Sequence, residues 1–454
     1  MMLFFILAAL SLDSILSRPE LVNAYYGIHI QRLDNNKVIY NYNSNKVFIP
    51  ASNMKLMTTA AALSLLGSEF RYKTYLGLNG ATTGSELEGD LILIGGGDPT
   101  FSLDCLDQFY WTLNQAGVSR ISGNIVVIDN FFTDERLPTG WSWHYLDAKY
   151  AAEISALSIN KNVVNVQMKP TSIGEYAEVR IEPQTGYVKL VSKMKTKAGD
   201  DSIIIYRPPD ANVIYVDGAI SVNRARDIDV AVKNPAIFVG TLLKEKLNSM
   251  GIAVQGNVLK NNSLKPNSAG IVLIDSVISP PLFEIVKETN KESENLYAEI
   301  LLKTLGAEKF GIGSFGSGIS AVKNFMAGCS IETTKVSLWD GSGLSKHNLI
   351  SPSNIVGVLH HMYHDSLFMY YYESLASPGS GTLEYRFNGF ADSLHAKTGS
   401  IHAVSCLSGY LKVNDIDCCF SLMFNNYTCG LKKIMDIQEK VIVALAEYLR
   451  QKPK

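Results

Sequence analysis

The chain of 454 residues is 46% hydrophobic and 19% charged, which is typical of a globular protein. This length exceeds what one ordinary hydrophobic core serves, so we expect two or three domains. The formal net charge of −2 argues against a nucleic-acid partner, because binding to phosphates requires a basic face.

A short apolar run opens the chain. Residues 1–12 are largely apolar and Asp13 interrupts them. The run is too short to span a bilayer as a helix, but it suits the core of a signal peptide, and residues 9–11 give a small-x-small cleavage pattern. A buried N-terminal helix is the alternative. We expect residues 1–21 to be a signal peptide and leader, and the exported protein to lie in the periplasm or cell envelope without a transmembrane span.

The next segment, residues 22–75, predicts two strands and a helix. Alternating apolar residues at 26–30 and 38–40 indicate an antiparallel pair around a turn. A helix is expected to begin near Ala51 and end at Gly67, because Pro50 precedes it and Ser52 suits its first turn. We assign this segment to the first part of the main domain.

In residues 76–276 the sequence pattern changes to short β-like runs separated by turns. A helix at Pro235–Met250 and a strand at Ile252–Val254 close the region. We expect a β-rich insertion of two modules, with seams near residues 150 and 230. The glycine-rich run at residues 95–99 is predicted to be a turn, since no phosphate-binding pattern follows it and Asp98 would repel an anion.

Helical character returns in residues 277–454, the second part of the main domain. Amphipathic stretches occupy residues 281–305, 315–328 and 352–365, and a hairpin at 403–413 and 418–425 precedes a helix at 431–450. Strands near both chain ends predict one sheet built from the two termini. The middle of the chain is then an insertion.

Three short motifs carry candidate chemistry. They are Ser52-Asn53-Met54-Lys55, Ser293-Glu294-Asn295 and Lys397-Thr398-Gly399-Ser400. The S-x-x-K pattern recurs at residues 158–161, 192–195 and 320–323, so the pattern alone has little weight. Only the first copy opens a long helix of buried character, where N-terminal amides stabilise developing negative charge.

The first motif suits nucleophilic catalysis. A serine hydroxyl needs a base within hydrogen-bond reach, and residues i and i+3 share a helix face, so Lys55 is positioned to serve Ser52. Lys55 must be neutral part of the time, and both burial and a nearby cation such as Lys397 lower a lysine pKa. Ser293 then fits as a proton shuttle to a leaving amine, and Asn295 as a fixed amide that orients Lys55.

The third motif suits substrate binding. Lys397 and Thr398 are candidates to bind a substrate carboxylate, and a strand continuing through Gly399 and Ser400 can pair with an extended substrate backbone. The amides of Ser52 and Ser400 are candidate oxyanion donors. The structural alternative is a capped helix, an exposed polar turn and a strand-entry turn with no shared chemistry.

The three motifs in this order resemble those of the penicillin-recognising serine enzymes. Further segments narrow the resemblance to the low-molecular-mass class C penicillin-binding proteins, the D-Ala-D-Ala carboxypeptidase/endopeptidase family. These segments are residues 49–61, 95–100, 154–160, 293–305, 340–345 and 396–400, within a resemblance that covers most of residues 25–430.

This resemblance implies an α+β fold. A β-lactamase/transpeptidase-like domain with an antiparallel sheet flanked by helices would be interrupted by the β-rich insertion. It also implies that Ser52 is the nucleophile and Lys55 the base, with Ser293 and Asn295 as the second motif and Lys397, Thr398 and Gly399 as the third.

The expected function is hydrolysis of D-Ala-D-Ala or of D-centred peptidoglycan cross-links through an acyl-serine. Peptidoglycan stem peptides are the expected partners and β-lactams the expected covalent inhibitors; no metal or organic cofactor is implied. A β-lactamase and a catalytically idle peptidoglycan-binding protein are the alternatives. The sequence leaves the oligomeric state open.

Other conspicuous residues are predicted to be structural. The six cysteines lack metal-ligand spacing, and most are expected to be small buried hydrophobes. His360 and His364 lie at i and i+4, but without the glutamate of a zinc motif we assign them to a helix surface. In the resembled family, Asp340-Gly341-Ser342-Gly343 is a loop near the site, so we expect a structural or substrate-lining role.

Overall fold

The structure is a computed structural model that describes residues 12–451 except 266 and 392. These residues form two compact units. The first unit comprises the described residues up to Phe70, Pro138–Gly140 and the chain from Pro281 onward, and the second comprises Arg71–Leu137 and Trp141–Pro280. The domain limits predicted at residues 75 and 276 remain predictions, as do the module boundaries predicted near residues 150 and 230.

The α-helices are numbered in chain order. They are α1 (Met54–Leu66), α2 (Leu103–Gln115), α3 (Pro235–Ser249), α4 (Leu282–Lys291), α5 (Asn295–Phe310), α6 (Phe315–Gly328), α7 (Pro352–Tyr363), α8 (Phe368–Ser374) and α9 (Leu431–Arg450). A short 3-10 helix, Ala51–Asn53, directly precedes α1.

The strands are also numbered in chain order. They are β1 (Tyr25–Arg32), β2 (Val38–Tyr42), β3 (Lys73–Thr83), β4 (Glu86–Ile94), β5 (Arg120–Ile121), β6 (Ile125–Ile128), β7 (Val163–Lys169), β8 (Glu178–Glu182), β9 (Lys189–Ser192), β10 (Lys195–Lys197), β11 (Ser202–Tyr206), β12 (Val213–Ser221), β13 (Arg226–Ala231), β14 (Ala253–Val254), β15 (Val258–Lys260), β16 (Ile271–Ile278), β17 (Leu394–Ile401), β18 (Val404–Val413) and β19 (Ile416–Asn425).

The first unit is built on a five-stranded antiparallel sheet in the order β17-β18-β19-β1-β2. The predicted sheet from both chain ends is therefore confirmed. The β18 side chains alternate between two layers of helices: Ser405 accepts a hydrogen bond from Gln438 of α9, whereas Tyr410 donates to Leu359 of α7. The α9 side of this sheet holds a large apolar core, which includes Leu407 and Leu411.

The second unit is rich in strands, as the sequence predicts. Its largest sheet has seven strands, in which β14, β5, β4, β3 and β16 form the main path and β6 pairs with β4 and β15. Two smaller sheets contain β9 to β12 and β7, β8 and β13. One continuous apolar core includes residues from all three sheets and from helices α2 and α3.

Two features of the helices depart from the sequence prediction. The predicted amphipathic stretch 281–305 is divided into α4 and α5, because Ser293 has a left-handed backbone conformation (φ +64°) that no α-helix accommodates. The first helix begins as a 3-10 turn, and Ser52 forms no side-chain cap. Both departures occur at residues of the predicted motifs.

The start of the chain bears on the predicted leader. The predicted signal-peptide core is residues 1–12, of which residues 1–11 lie outside the described part of the chain. Residues 12–16 are helical, and Leu12 and Leu16 pack into the core beside α9. No helix within the described residues is long and apolar enough to cross a bilayer. All six cysteines are free thiols. Cys406, Cys418 and Cys419 are buried, whereas the other three are only partly buried, so half of the cysteines are buried and not most of them as predicted.

Candidate active site

Ser52 lies in the 3-10 turn at the start of α1, and close packing fixes this turn from two sides. The adjacent Ala51 has φ +45°, and a Cβ added to Gly343 would lie 1.8 Å from the Ala51 carbonyl oxygen. Asn53 donates a hydrogen bond of 2.7 Å to the Ser408 hydroxyl on β18. The turn is therefore held between the sheet and the loop that contains Gly343.

Lys55 is fully buried one helical turn after Ser52. Its Nζ donates to Ser52 Oγ at 3.0 Å, to Asn295 Oδ1 at 2.6 Å and to the Ser342 carbonyl oxygen at 3.0 Å. Burial lowers the pKa of Lys55 to about 8, against opposing effects of Glu299, Asp340 and Glu294. A lysine with this pKa can accept a proton near neutral to mildly alkaline pH.

Ser293 and Asn295 occupy the break between α4 and α5. Asn295 is the first residue of α5, where its side chain reaches Lys55. Ser293 accepts a hydrogen bond of 2.9 Å from Lys397 Nζ. The second motif thus contacts a lysine of each of the other two motifs.

The third motif lies on β17, at the edge of the sheet. Lys397 is fully buried, and its Nζ also donates to the Thr398 carbonyl oxygen at 3.0 Å. Burial, followed by the charge of Lys55, lowers the pKa of Lys397 well below its usual value. Thr398 is half-buried and Ser400 is exposed.

Gly399 allows β17 to lie directly against the turn that carries Ser52. A Cβ at this position would lie 2.8 Å from the Pro50 carbonyl oxygen and 3.0 Å from the backbone nitrogens of Ser52 and Asn53. Lys397 and Gly399 lie two residues apart and so share one face of the strand. The structure therefore brings all three predicted motifs together in the first unit.

The loop Asp340-Gly341-Ser342-Gly343 is more closely involved than the sequence predicts. It is buried, and the Ser342 carbonyl contacts Lys55 directly. Sequence reasoning missed Glu299, whose buried carboxylate accepts hydrogen bonds from the Gly341 and Ser342 amides. The available signal was an acidic residue within an apolar helical run, which resembles an ordinary surface charge when only one sequence is considered.

The remaining candidates from the sequence do not join this cluster. The glycine-rich run 95–99 lies in the second unit after β4. His360 lies near the end of α7, half-exposed beside Asn36. Among residues 12–451, apart from 266 and 392, no group of His, Cys, Asp and Glu side chains has the arrangement of a metal site.

Comparisons of the amino-acid sequence with known proteins agree with one another on the family that it matches. The D-Ala-D-Ala carboxypeptidase 3 (S13) family model matches residues 8–448. A D-alanyl-D-alanine carboxypeptidase of Actinomadura sp. (strain R39) is 32% identical over 454 residues, covering 96% of this chain and 84% of the relative. The carboxypeptidase DacB of Haemophilus influenzae is 25% identical, covering 89% of this chain and 86% of the relative.

Solved structures share the fold. Penicillin-binding protein 4 of H. influenzae superposes with a TM-score of 0.85 at 24% identity, covering 96% of this chain and 99% of the other. A predatory peptidoglycan endopeptidase of Bdellovibrio bacteriovorus gives a TM-score of 0.54 at 17% identity, covering 95% and 94%. From the family match over nearly the whole chain, we conclude that the protein belongs to the D-Ala-D-Ala carboxypeptidase 3 (S13) family and is a serine-type, penicillin-binding DD-peptidase.

Proposed function

We propose that Ser52 is the acylated nucleophile and Lys55 its general base. Ser52 Oγ attacks the carbonyl carbon of the penultimate D-Ala, and its proton passes to Lys55. The C–N bond breaks, the proton held by Lys55 passes through Ser293 to the leaving amine nitrogen, and an acyl-Ser52 ester remains. In the second half of the reaction Lys55 takes a proton from water, the hydroxide oxygen bonds to the acyl carbon, and the bond from that carbon to Ser52 Oγ breaks. Lys55 then returns the proton to Ser52, and the acid product leaves.

The single observation that carries this proposal is the environment of the Lys55 amine. The Lys55 Nζ is 3.0 Å from Ser52 Oγ, and burial lowers the pKa of Lys55 to about 8. An ordinary exposed lysine is almost fully protonated at neutral pH and cannot accept the serine proton. The Asn295 amide oxygen, at 2.6 Å, holds the amine in this position.

The substrate side of the proposal rests on β17. The buried amine of Lys397, whose protonated form an incoming carboxylate favours, would bind the terminal carboxylate of the substrate together with Thr398. The edge strand from Gly399 to Ser400 would pair with the extended peptide, and the amides of Ser52 and Ser400 would donate to the oxyanion. D-Ala-D-Ala ends and D-centred cross-links both present the required acyl group.

Location and partners extend this proposal. Peptidoglycan stem peptides are the proposed substrates, which places the enzyme outside the inner membrane, in the periplasm or cell envelope. The apolar run at residues 1–12 supports export through a signal peptide. β-Lactams are the proposed covalent inhibitors, because ring opening leaves the amine tethered and the acyl-enzyme persists.

The decisive experiment is intact-mass analysis after incubation with benzylpenicillin. We expect the wild type to gain the mass of one penicillin and Ser52→Ala to gain none. A labelled Ser52→Ala variant would show that another residue is the nucleophile.

The same experiment separates the alternatives. Unmodified wild type with consumed penicillin would indicate a β-lactamase, since fast deacylation leaves no adduct. Unmodified wild type with intact penicillin would favour a catalytically idle peptidoglycan-binding protein. Release of D-Ala from a pentapeptide, compared with cleavage of a cross-linked dimer, measures the balance of carboxypeptidase and endopeptidase activity.

A further inference from the structure

A buried carboxylate lies next to the proposed general base. Glu299 is in α5, four residues after Asn295, so both side chains lie on the same side of the helix. It is fully buried in an apolar helical run between Ala298 and Ile300. A buried acid is costly to keep unless its hydrogen bonds are satisfied, so its contacts indicate its role.

Both carboxylate oxygens of Glu299 bind the same peptide segment. Glu299 Oε2 accepts the Gly341 amide at 2.9 Å, and Oε1 accepts the Ser342 amide at 2.8 Å. The two carbonyl groups of these residues then contact α1: that of Gly341 accepts from Thr58 Oγ1 at 2.8 Å, and that of Ser342 from Lys55 Nζ at 3.0 Å. Glu299 therefore fixes the carbonyl that holds the amine of Lys55.

The other end of this loop is fixed independently. Asp340 Oδ1 accepts the Gly343 amide at 2.8 Å, and Oδ2 accepts the Ser345 amide at 2.6 Å. The loop also lies against α5 itself, since a Cβ on Gly341 would come within 2.6 Å of the Ala298 carbonyl oxygen. Small movements of the Glu299 carboxylate would therefore be transmitted to the Ser342 carbonyl.

The charge of Glu299 also acts on Lys55. Among the carboxylates that favour protonated Lys55, Glu299 has the largest effect, followed by Asp340 and Glu294. Lys397 is the neighbouring cation on β17. Burial, followed by the charge of Asp340, raises the pKa of Glu299, whereas its two amide donors oppose this change.

A further lysine, Lys303, lies on α5, the helix that contains Glu299. Lys303 lies one turn after Glu299, where its amine is over the Phe315 ring at 4.7 Å from the centroid. The carboxylates around Lys55 thus lie on α5, on the loop and at Glu294 just before α5, and the amines lie on α1, α5 and β17.

We propose that Glu299 is a positioning residue: through the Gly341 and Ser342 amides it holds the Ser342 carbonyl against Lys55, and so keeps the Lys55 amine directed at Ser52. This inference rests on the proposed role of Lys55. It assigns Glu299 no contact with the substrate or with the reacting atoms.

Two variants test this positioning. Glu299→Gln keeps the length of the side chain but removes the charge and replaces one of the two acceptor oxygens with an NH2 group that faces an amide N–H, whereas Glu299→Asp keeps the charge and both oxygens but withdraws them from the two amides. Glu284→Gln is the matched control, because Glu284 is half-exposed on α4 in a surface pair with Lys287. The readout is the second-order rate of benzylpenicillin acylation by intact mass between pH 6 and 10, with circular dichroism as the check on folding.

We expect the plateau rate of acylation to fall roughly tenfold in both Glu299 variants, because the Ser342 carbonyl shifts. In Glu299→Gln the acid limb should also move to lower pH, because the charge that favours the Lys55 ammonium is absent. Burial raises the pKa of Glu299 to about 8, so the wild-type carboxyl is largely neutral below that pH and the shift of the limb is smaller than one unit. In Glu299→Asp the limb should stay near that of the wild type. The Glu284→Gln profile should match the wild type.

Two results would overturn the inference while the wild type is still labelled at Ser52. They are a Glu299→Asp plateau equal to that of the wild type, or a Glu299→Gln profile that matches the wild type in both its plateau and its acid limb. If Glu299→Gln fails to fold, the plateau of Glu299→Asp decides the positioning role. A wild type without any adduct would overturn the proposed function, and this inference with it.

Discussion

Ser293 combines an unfavourable backbone conformation with a central hydrogen bond. Its φ of +64° is in the left-handed region, which costs a residue with a Cβ roughly 1–2 kcal/mol. Its hydroxyl accepts a hydrogen bond of 2.9 Å from the Lys397 amine, and two residues later the Asn295 side chain accepts a hydrogen bond from Lys55. Strain of this kind persists where surrounding structure enforces it, and here it accompanies the proposed proton shuttle.

At the residue scale, we therefore expect substitutions of Ser293 to separate stability from activity. Ser293→Gly and Ser293→Ala both remove the hydroxyl, but only glycine tolerates the left-handed conformation. Ser293→Gly should have a free energy of unfolding about 1 kcal/mol above that of Ser293→Ala, and both should lose hydrolysis of D-Ala-D-Ala. Urea unfolding and D-Ala release measure the two effects; equal stability of the two variants would argue against strain.

At the scale of elements, the site depends on the close approach of β17 to the turn Ala51–Asn53. The contact is between backbone atoms, since Gly399 faces the Pro50 carbonyl and the Ser52 amide. The same turn is held on its other side by Gly343, which has φ +86°. Two glycines therefore allow a strand and a loop to enclose the nucleophile.

Substitution of Gly399 tests this approach. Its added methyl group in Gly399→Ala would lie 2.8–3.0 Å from three backbone atoms, so β17 must move away from Ser52. We expect penicillin acylation to slow by about 100-fold and the free energy of unfolding to fall by about 1–3 kcal/mol.

Gly328→Ala serves as the control, because nothing lies within 4 Å of a Cβ at that position. Benzylpenicillin should acylate this control at the wild-type rate. The rates of both variants are measured by intact-mass analysis of samples stopped at a series of times. A Gly399→Ala variant that acylates as fast as this control would show that the close approach does not matter for catalysis.

At the scale of the whole molecule, the site is assembled from residues far apart in the chain. Lys55 and Asn295 are separated by 240 positions, and the second unit lies between them in sequence. The sheet joins both chain ends, so the first unit is completed only when its last strands pair with β1. Among the buried lysines of this unit, Lys55 and Lys397 oppose folding when they are protonated, because burial disfavours their charged form.

The buried lysine predicts how stability depends on pH. The pKa of Lys55 is about 8 in the folded protein and 10.5 for an unperturbed lysine, so the unfolded chain binds more protons between these limits. The free energy of unfolding should therefore rise with pH across this window, by about 3 kcal/mol in total. Below pH 8 the contribution of Lys55 is constant.

Urea unfolding of the wild type and Lys55→Met between pH 7 and 10 measures this contribution. The difference between the two free energies should grow in favour of the wild type as pH rises. Tyrosines and cysteines that also titrate in this range are present in both proteins and cancel in the difference. Parallel curves for the two proteins would contradict a lowered Lys55 pKa.

Much of the architecture follows from local sequence patterns. Alternation predicted the terminal strands, helical periodicity predicted α1, α3 and α9, and the order of the three motifs predicted the residues that meet in the site. These features are accessible because they depend on short-range periodicity and on residue types that the chemistry requires. Membership of the family also follows from the sequence itself, through its match over residues 8–448.

Tertiary structure decided the features that depend on distant contacts. The break at Ser293 interrupts a continuous helical pattern, because contacts with β17 and α1 outweigh the local preference for a helix. In the sequence, Glu299 is only an isolated acid within an apolar run. Its role becomes visible in the folded structure, where the loop at Gly341 and Ser342 supplies two amide donors to its carboxylate. The sequence determined which groups are available for catalysis, and the packing of distant segments determined their distances, burial and charge states.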